Sequence, residues 1–158
     1  MSQPKKNDRR PLPVLSEEDP RGPEVQAWLT LARVYHLLER RLGAGLGGGG
    51  LSLSQFDVLA TLYHGEGITQ QELAERLLVT KGNIVGLLDR VCAWVERRPD
   101  PNDRRANRLY LTPAGRKLMA KVLPGHLAAV REVMGGLSAA ELEALNDLLS
   151  RLEGSVAD

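Results

Sequence analysis

The stretch TQQELAERLLVTKGNIVGLLDR, residues 69–90, decides the fold. Thr69 with Glu72 three positions on forms a capping box, in which each side chain satisfies the other residue's backbone amide at a helix start. Leu73, Ala74 and Leu77 continue at helical spacing. A brief Leu78-Val79 turn leads to Thr80, a second favourable cap, after which Ile84, Leu87, Leu88 and Val91 recur every three or four residues and face inward. Two short helices joined by a tight turn predict a helix-turn-helix.

Immediately downstream, Val95-Glu96-Arg97-Arg98 reads as a strand, PDPNDRRAN holds turn-forming residues, and Arg108 to Thr112 alternates like a returning strand. This predicts a β-hairpin with a basic tip. Thr112-Pro113 opens a helix with proline at a position where the missing amide costs nothing. Leu118, Val122, Leu127, Val130 and Met134 carry the apolar face of that helix past Pro124, where a kink rather than a break is expected. Ser138 and Glu141 form another capping box, and the final helix carries a stripe of Leu142, Leu145, Leu149 and Leu152 that requires a partner.

Upstream, Ser54 is a candidate cap for a helix facing inward through Phe56, Leu59, Leu62 and Tyr63, closed by Gly65 and Gly67. Val25, Trp28, Leu29, Ala32, Tyr35, Leu38 and Leu42 mark a longer helix over about 23–42, ended by the run GAGLGGGG. That run lacks the Gly-Lys-Ser/Thr ending of a phosphate-binding loop and reads as a flexible connector. Residues 1–22 set four prolines among charges and hold too few apolar side chains to offset the entropy of ordering, so they read as a flexible arm.

Composition narrows the class. A chain of 158 residues, 42% hydrophobic, suffices for one domain with a proper core. No apolar run approaches the roughly 18 residues of a membrane span, and the first residues lack the apolar centre of a secretory signal, so a cytoplasmic location is expected. The single cysteine, Cys92, excludes an intramolecular disulfide, and His36, His64 and His126 match no local zinc-ligand spacing. No catalytic motif is recognisable, and no catalytic residue, metal or cofactor is expected. The net charge of +1 conceals an uneven distribution: Lys81 to Lys117 holds nine Lys/Arg against four Asp/Glu, a net +5, while the remainder holds twelve against sixteen, a net −4. A concentrated basic stretch suits contact with phosphates.

A recognition helix enters the major groove N-terminus first, with polar or small side chains outward. Thr80, Lys81, Gly82, Asn83, Gly86 and Arg90 are the candidate contacts there. Lys81 and Asn83 can reach phosphates or base edges, the glycines permit close approach, and Arg90 suits the backbone one turn on. At the hairpin tip stand Asp103, Arg104 and Arg105; Arg105 can extend into the narrow minor groove while Asp103 orients the neighbouring guanidinium. Taken singly, each of these is equally consistent with a solvated charged surface. Their agreement favours double-stranded DNA as the partner.

With these residues in place, TQQELAERLLVTKGNIVGLLDR followed by VERRPDPNDRRANRLYLTPAGRKL resembles the DNA-binding core of MarR-family regulators over about Thr69 to Leu118. Flanking helices in matching order extend the similarity from roughly Glu24 to the C-terminus. The resemblance implies a mainly α fold with a small β-hairpin wing: a winged helix-turn-helix lobe over 54–112 within a domain of 23–158, joined to a helical dimerisation region formed by helices at 23–42 and 113–156. It further implies a homodimer that represses genes from a pseudo-palindromic operator and releases DNA on binding a small aromatic or phenolic effector. Candidate effector contacts are Trp28, Tyr35, His36, Asp57, Tyr63, His64 and His126, as apolar walls with a few polar groups.

The chain departs from the family pattern at Cys92-Ala93-Trp94, where relatives usually carry a charged residue and a glycine before an apolar residue. Redox-sensing members place a cysteine near the start of the first long helix, and this chain has none there; Cys92 reads as a buried structural thiol. Asp57 and the LPGHL stretch resemble the urate-responsive branch, but no tryptophan-bearing helix precedes the first long one, so urate is not implied. Two other readings stand beside the regulator: a winged-helix module that binds protein, and a non-specific architectural DNA-binding protein.

Overall fold

The computed structural model describes residues 22–103 and 106–157, so Gly22 alone of the expected arm, residues 1–22, is among them. In chain order the elements are α1 (Pro23–Leu46), a single 3-10 turn (Gly47–Gly49), α2 (Leu53–His64), β1 (Ile68–Thr69), α3 (Gln70–Arg76), α4 (Lys81–Arg90), β2 (Val95–Pro99), β3 (Asn107–Leu111), α5 (Pro113–Met134) and α6 (Ala139–Val156). They fall into two compact units, one ending at Arg41 and one running from Leu42. In the first unit, α1 leaves Trp28, Val34, Tyr35 and Leu37 exposed.

The second unit is built on a core in which Val58, Leu59, Leu62, Leu73, Ile84, Val91, Leu109 and Met119 are completely buried. Side chains from α2, α3, α4, β3 and α5 thus converge, and each fully buried aliphatic contributes about 1.5 to 3 kcal/mol of transfer free energy. The capping boxes at Thr69/Glu72 and Ser138/Glu141 form as expected. Thr80 and Thr112 cap α4 and α5 by accepting from the Asn83 and Gly115 amides.

Expectations about two helices are corrected. The cap of α2 is Ser52, not Ser54: Ser52 and Gln55 form the capping box, which places Leu51, buried to 3% exposure, just ahead of the helix. The first helix continues to Leu46 rather than stopping at Leu42, despite Gly43 and Gly45, because Leu46 is buried to 3% exposure in the core of the second unit. The expected hairpin forms the wing, and β1 adds a third strand to it in the order β1-β3-β2, with Ile68 opposite Leu109 and Val95 opposite Leu111. Pro124 lies inside an α5 that runs unbroken from Pro113 to Met134.

The helix-turn-helix owes its tightness to the end of α3. The Val79 amide donates to the Ala74 carbonyl at 3.0 Å and the Leu78 amide to the Glu75 carbonyl at 3.1 Å, the paired bonds of a Schellman motif. Leu78 occupies its left-handed position with φ of 52°, where glycine is usual, and its side chain stands exposed.

At the other end of the chain, α6 contributes no buried residue: Leu142 and Leu145 are half-buried, while Leu148, Leu149, Leu152 and Val156 are exposed. No helix of the described residues is long and apolar enough to cross a membrane, and no cluster of His, Cys, Asp and Glu among them could hold a metal ion.

Candidate nucleic-acid interface

Helix α4 sorts its residues by face. Ile84 and Leu88, with Val91 just beyond, are buried, whereas Lys81, Gly82, Asn83, Val85 and Arg90 are exposed and Gly86 is half-exposed. Thr80, also exposed, holds the helix start through its hydroxyl, which accepts from the Asn83 amide at 3.3 Å. Gly82 and Gly86 have no neighbouring atom within 4 Å of where a Cβ would stand, so nothing in the chain's own packing requires glycine there. All six residues expected on this helix therefore lie on or beside its open side.

An open groove of about 600 Å³ runs between this helix, the start of α3 and the wing, and its lining includes Gln70, Gln71, Lys81, Val85, Asp103 and Asn107. Gln70, Gln71, Val85 and Asn107 escaped the sequence reading. The two glutamines are legible in hindsight as polar residues opening α3, but Asn107 comes to the groove only through the hairpin register.

The base of the wing is organised by Asp100, which the sequence reading passed over as a turn residue. Its carboxylate is buried, accepts from the Asn102 amide at 2.8 Å and the Asp103 amide at 3.3 Å, and pairs with Arg108 Nε at 2.6 Å. Hydrogen bonding from the Asn102 amide, with the Arg108 charge, holds its pKa below the ordinary carboxylate value. Arg108 also donates through Nη1 to the Gly67 carbonyl at 2.6 Å, tying the hairpin to β1. Above this base the Asp100 amide donates to the Ala106 carbonyl and the Ala106 amide to the Asp103 carbonyl, each at 3.0 Å. The chain is thus pinned on both sides of the tip. Arg104 and Arg105 lie outside the described residues.

On the outer side of the sheet, the Arg98 guanidinium sits 4.3 Å from the centre of the Tyr110 ring and Arg98 Nε donates to Glu96 Oε1 at 2.9 Å. Glu66 joins the wing to α5, accepting from the Leu111 amide at 2.8 Å and pairing with Arg116.

Cys92 is exposed, which corrects the expectation of a buried thiol. Helix α4 ends at Arg90, Val91 takes the inward position, and the turn that follows puts Cys92 on the solvent side.

The seven residues considered for an effector divide between the units. In the first, Trp28 is exposed, and Tyr35 meets His36 edge-on with ring centres 5.7 Å apart while His36 Nδ1 lies 3.2 Å from Glu39. In the second, Asp57, Tyr63 and His64 are exposed on α2, where helical geometry puts Asp57 and His64 on one side and Tyr63 about a quarter-turn round. His126 packs against Phe56 with ring centres 4.2 Å apart, and its buried Nδ1 has no hydrogen-bond partner. Burial lowers its pKa, favouring the neutral ring.

A capped helix-turn-helix set between the strands of a three-stranded wing, with an exposed recognition helix and a basic hairpin, defines a winged helix-turn-helix DNA-reading domain. The MarR family profile matches residues 49–106. The transcriptional repressor YetL of Bacillus subtilis is 35% identical over 128 residues, covering 76% of this chain and 74% of YetL. The multiple antibiotic resistance protein MarR of Salmonella typhimurium is 33% identical over 106 residues, covering 65% of this chain and 73% of that protein. Among solved structures, AbsC, a MarR family transcriptional regulator from Streptomyces coelicolor, superposes with a TM-score of 0.80 at 27% identity, covering 92% of this chain and 98% of AbsC. The chain belongs to the MarR family of transcriptional regulators. It is a DNA-binding regulator and not an enzyme.

Proposed function

We propose that the protein is a repressor that binds a pseudo-palindromic operator as a homodimer and is released by a small aromatic or phenolic effector. The observation that carries this reading is the open face of α4, whose exposed Lys81 and Asn83 and side-chain-free Gly82 and Gly86 stand beside a groove shared with the wing. Such a face suits insertion into the major groove. A module built to bind protein would show an apolar or acidic surface there. That YetL is a repressor supports the sign of regulation.

Dimerisation is supported by the leucines of α6 and the apolar residues of α1 that the monomer leaves uncovered. We assign α1, corresponding to the expected 23–42, and the helices of 113–156 to the dimer, and 54–112 to the DNA-reading lobe. Two recognition helices related by a twofold axis then meet two half-sites about one helical turn apart. The effector acts by binding better to a dimer conformation whose reading heads no longer fit the operator, the coupling being the difference in affinity. Trp28, Tyr35, His36, Asp57, Tyr63, His64 and His126 are the residues to probe for it.

The test is a salt-dependent titration against the DNA upstream of the protein's own gene, beside a scrambled duplex of equal length. Tight footprinted binding to one symmetrical element is expected. Equal binding to both duplexes would point to an architectural role, and none to either at low salt to a protein-binding module.

Two substitutions probe the wing. Arg105, assigned to the minor groove with Asp103 orienting the adjacent guanidinium, should cost about 1 to 3 kcal/mol of operator affinity when changed to Ala. Unchanged affinity would remove the wing from the interface. Asp100→Ala releases Arg108 and frees the Asn102 and Asp103 amides, so the base of the wing loses its anchor. Operator affinity should drop on the order of tenfold while the recognition helix stays folded, as an unanchored wing forfeits most of a specific contact. Wild-type affinity in Asp100→Ala, measured by the same titration, would show that the wing keeps its place without this pair.

A further inference from the structure

The exposed face of α4 contains one apolar side chain that the core does not use. Val85 is 43% exposed, three positions after Gly82 and immediately before Gly86, and it lines the groove between the helix and the wing. At about 100° per residue, Gly82 and Gly86 lie opposite Ile84, Leu88 and Val91, with Val85 on one flank of that open side and Asn83 and Arg90 on the other. Valine and glycine are poorer helix formers than alanine. Here three of them share the exposed side of a ten-residue helix, and neither glycine meets anything within 4 Å. At Gly82 and Gly86 local helix stability is given up with no return from the chain's own packing.

The charges around it are also ordered. Lys81 stands at the N-terminal end of the face, suited to a phosphate, while the one acid on it, Asp89, lies 3.5 Å from Arg97 of β2. On the groove side of the two glycines the helix offers the two methyls of Val85, while Asn83 and Arg90 stand on the other flank. In unmodified DNA the major-groove edges of the bases carry hydrogen-bonding groups and a single apolar group, the thymine C5-methyl.

We infer that Val85 is a specificity-determining residue that reads a thymine methyl in each operator half-site. The low rims at Gly82 and Gly86 let the isopropyl group reach the base edge. The inference rests on the regulator reading above and adds the base chemistry that the recognition helix selects.

Its test replaces each thymine of the footprinted operator in turn by deoxyuridine, symmetrically in both half-sites. Deoxyuridine removes the methyl and keeps the pairing. Wild-type protein and Val85→Ala are titrated against every duplex, with thermal unfolding confirming that the variant is folded. At one symmetrical thymine the wild type should lose on the order of tenfold in affinity, about fourfold for each of the two methyls removed. Val85→Ala should bind the unmodified operator with the wild type's affinity for that deoxyuridine duplex, and should be insensitive to the replacement. Methyl-insensitive binding by the wild type, or an equal methyl effect in both proteins, overturns the inference while leaving the regulator intact. Absence of operator binding by the wild type would remove both.

Discussion

Gly115→Ala is expected to destabilise the protein by about 2 to 4 kcal/mol, the loss typical of forcing an atom into a packed site, even though alanine is the better helix former. A Cβ at position 115 would stand 2.3 Å from the Trp94 carbonyl oxygen and 3.1 Å from its carbonyl carbon. Backbone cannot rotate out of the way as a side chain can. The site is also the point where the wing is fastened to α5. The Thr112 amide donates to the same Trp94 carbonyl at 2.9 Å, the Thr112 hydroxyl donates to the Ala93 carbonyl at 3.0 Å, and that hydroxyl accepts from the Gly115 amide at 3.1 Å. A methyl group here has to push β2 away from the start of the helix.

Gly125→Ala, in the same helix, is the matched control, because a Cβ there meets nothing within 4 Å. It should leave stability unchanged or raise it by up to about 1 kcal/mol. Denaturant unfolding of both variants at one protein concentration makes the comparison, since the proposed dimerisation would render apparent stability concentration-dependent. Equal midpoints for the two would mean that the Trp94 approach imposes no constraint.

The way this junction is built illustrates which parts of the fold can be read in sequence. Thr112-Pro113 announces a helix start because a cap acts within a few residues, and the same holds for Thr69/Glu72, Thr80 and Ser138/Glu141. The close approach of Gly115 to Trp94 spans twenty-one positions and leaves no local signature. Strand β1 is two residues long, too short to show a period, and is recognisable only through its partner β3. Local sequence does not separate Ser52 from Ser54, because an acceptor follows each by three, Gln55 in one case and Asp57 in the other. What decides it is the burial of Leu51 and Leu46, which belongs to the core.

The buried and exposed faces of α4 were legible in the sequence because exposure on a helix follows the period of 3.6. The Asp100–Arg108 pair was not, because it joins opposite arms of a hairpin whose register comes from the packing of Leu109 and Leu111. Cys92 was misread for a related reason. The apolar pattern of α4 continues to Val91, one residue past the helical end, and extrapolating it further puts the thiol inside.

Gly82→Ala combined with Gly86→Ala should raise stability and lower operator affinity at once. Glycine in a helix interior is about 1 kcal/mol less favourable than alanine, and the gain is smaller in a first turn, where Gly82 stands. The pair should therefore stabilise each subunit by about 1 to 2 kcal/mol, equivalent to a rise of several degrees in Tm for a chain of this size. Nothing within the protein opposes the added methyls, since both positions face open space. DNA would oppose them. On a helix seated in the major groove, a methyl at the closest approach either clashes with a base edge or lifts Lys81, Asn83 and Val85 away from theirs, and the twofold symmetry of the proposed dimer would repeat the effect in both half-sites. At about 1 to 3 kcal/mol for each overpacked contact, operator affinity should fall by at least about tenfold. Thermal unfolding and operator titration on the same preparation read the two effects separately. A variant that is more stable and binds its operator as well as the wild type would mean that the helix does not approach DNA through this face, and would move the search for base contacts to Asn83 and Arg90 at its edge.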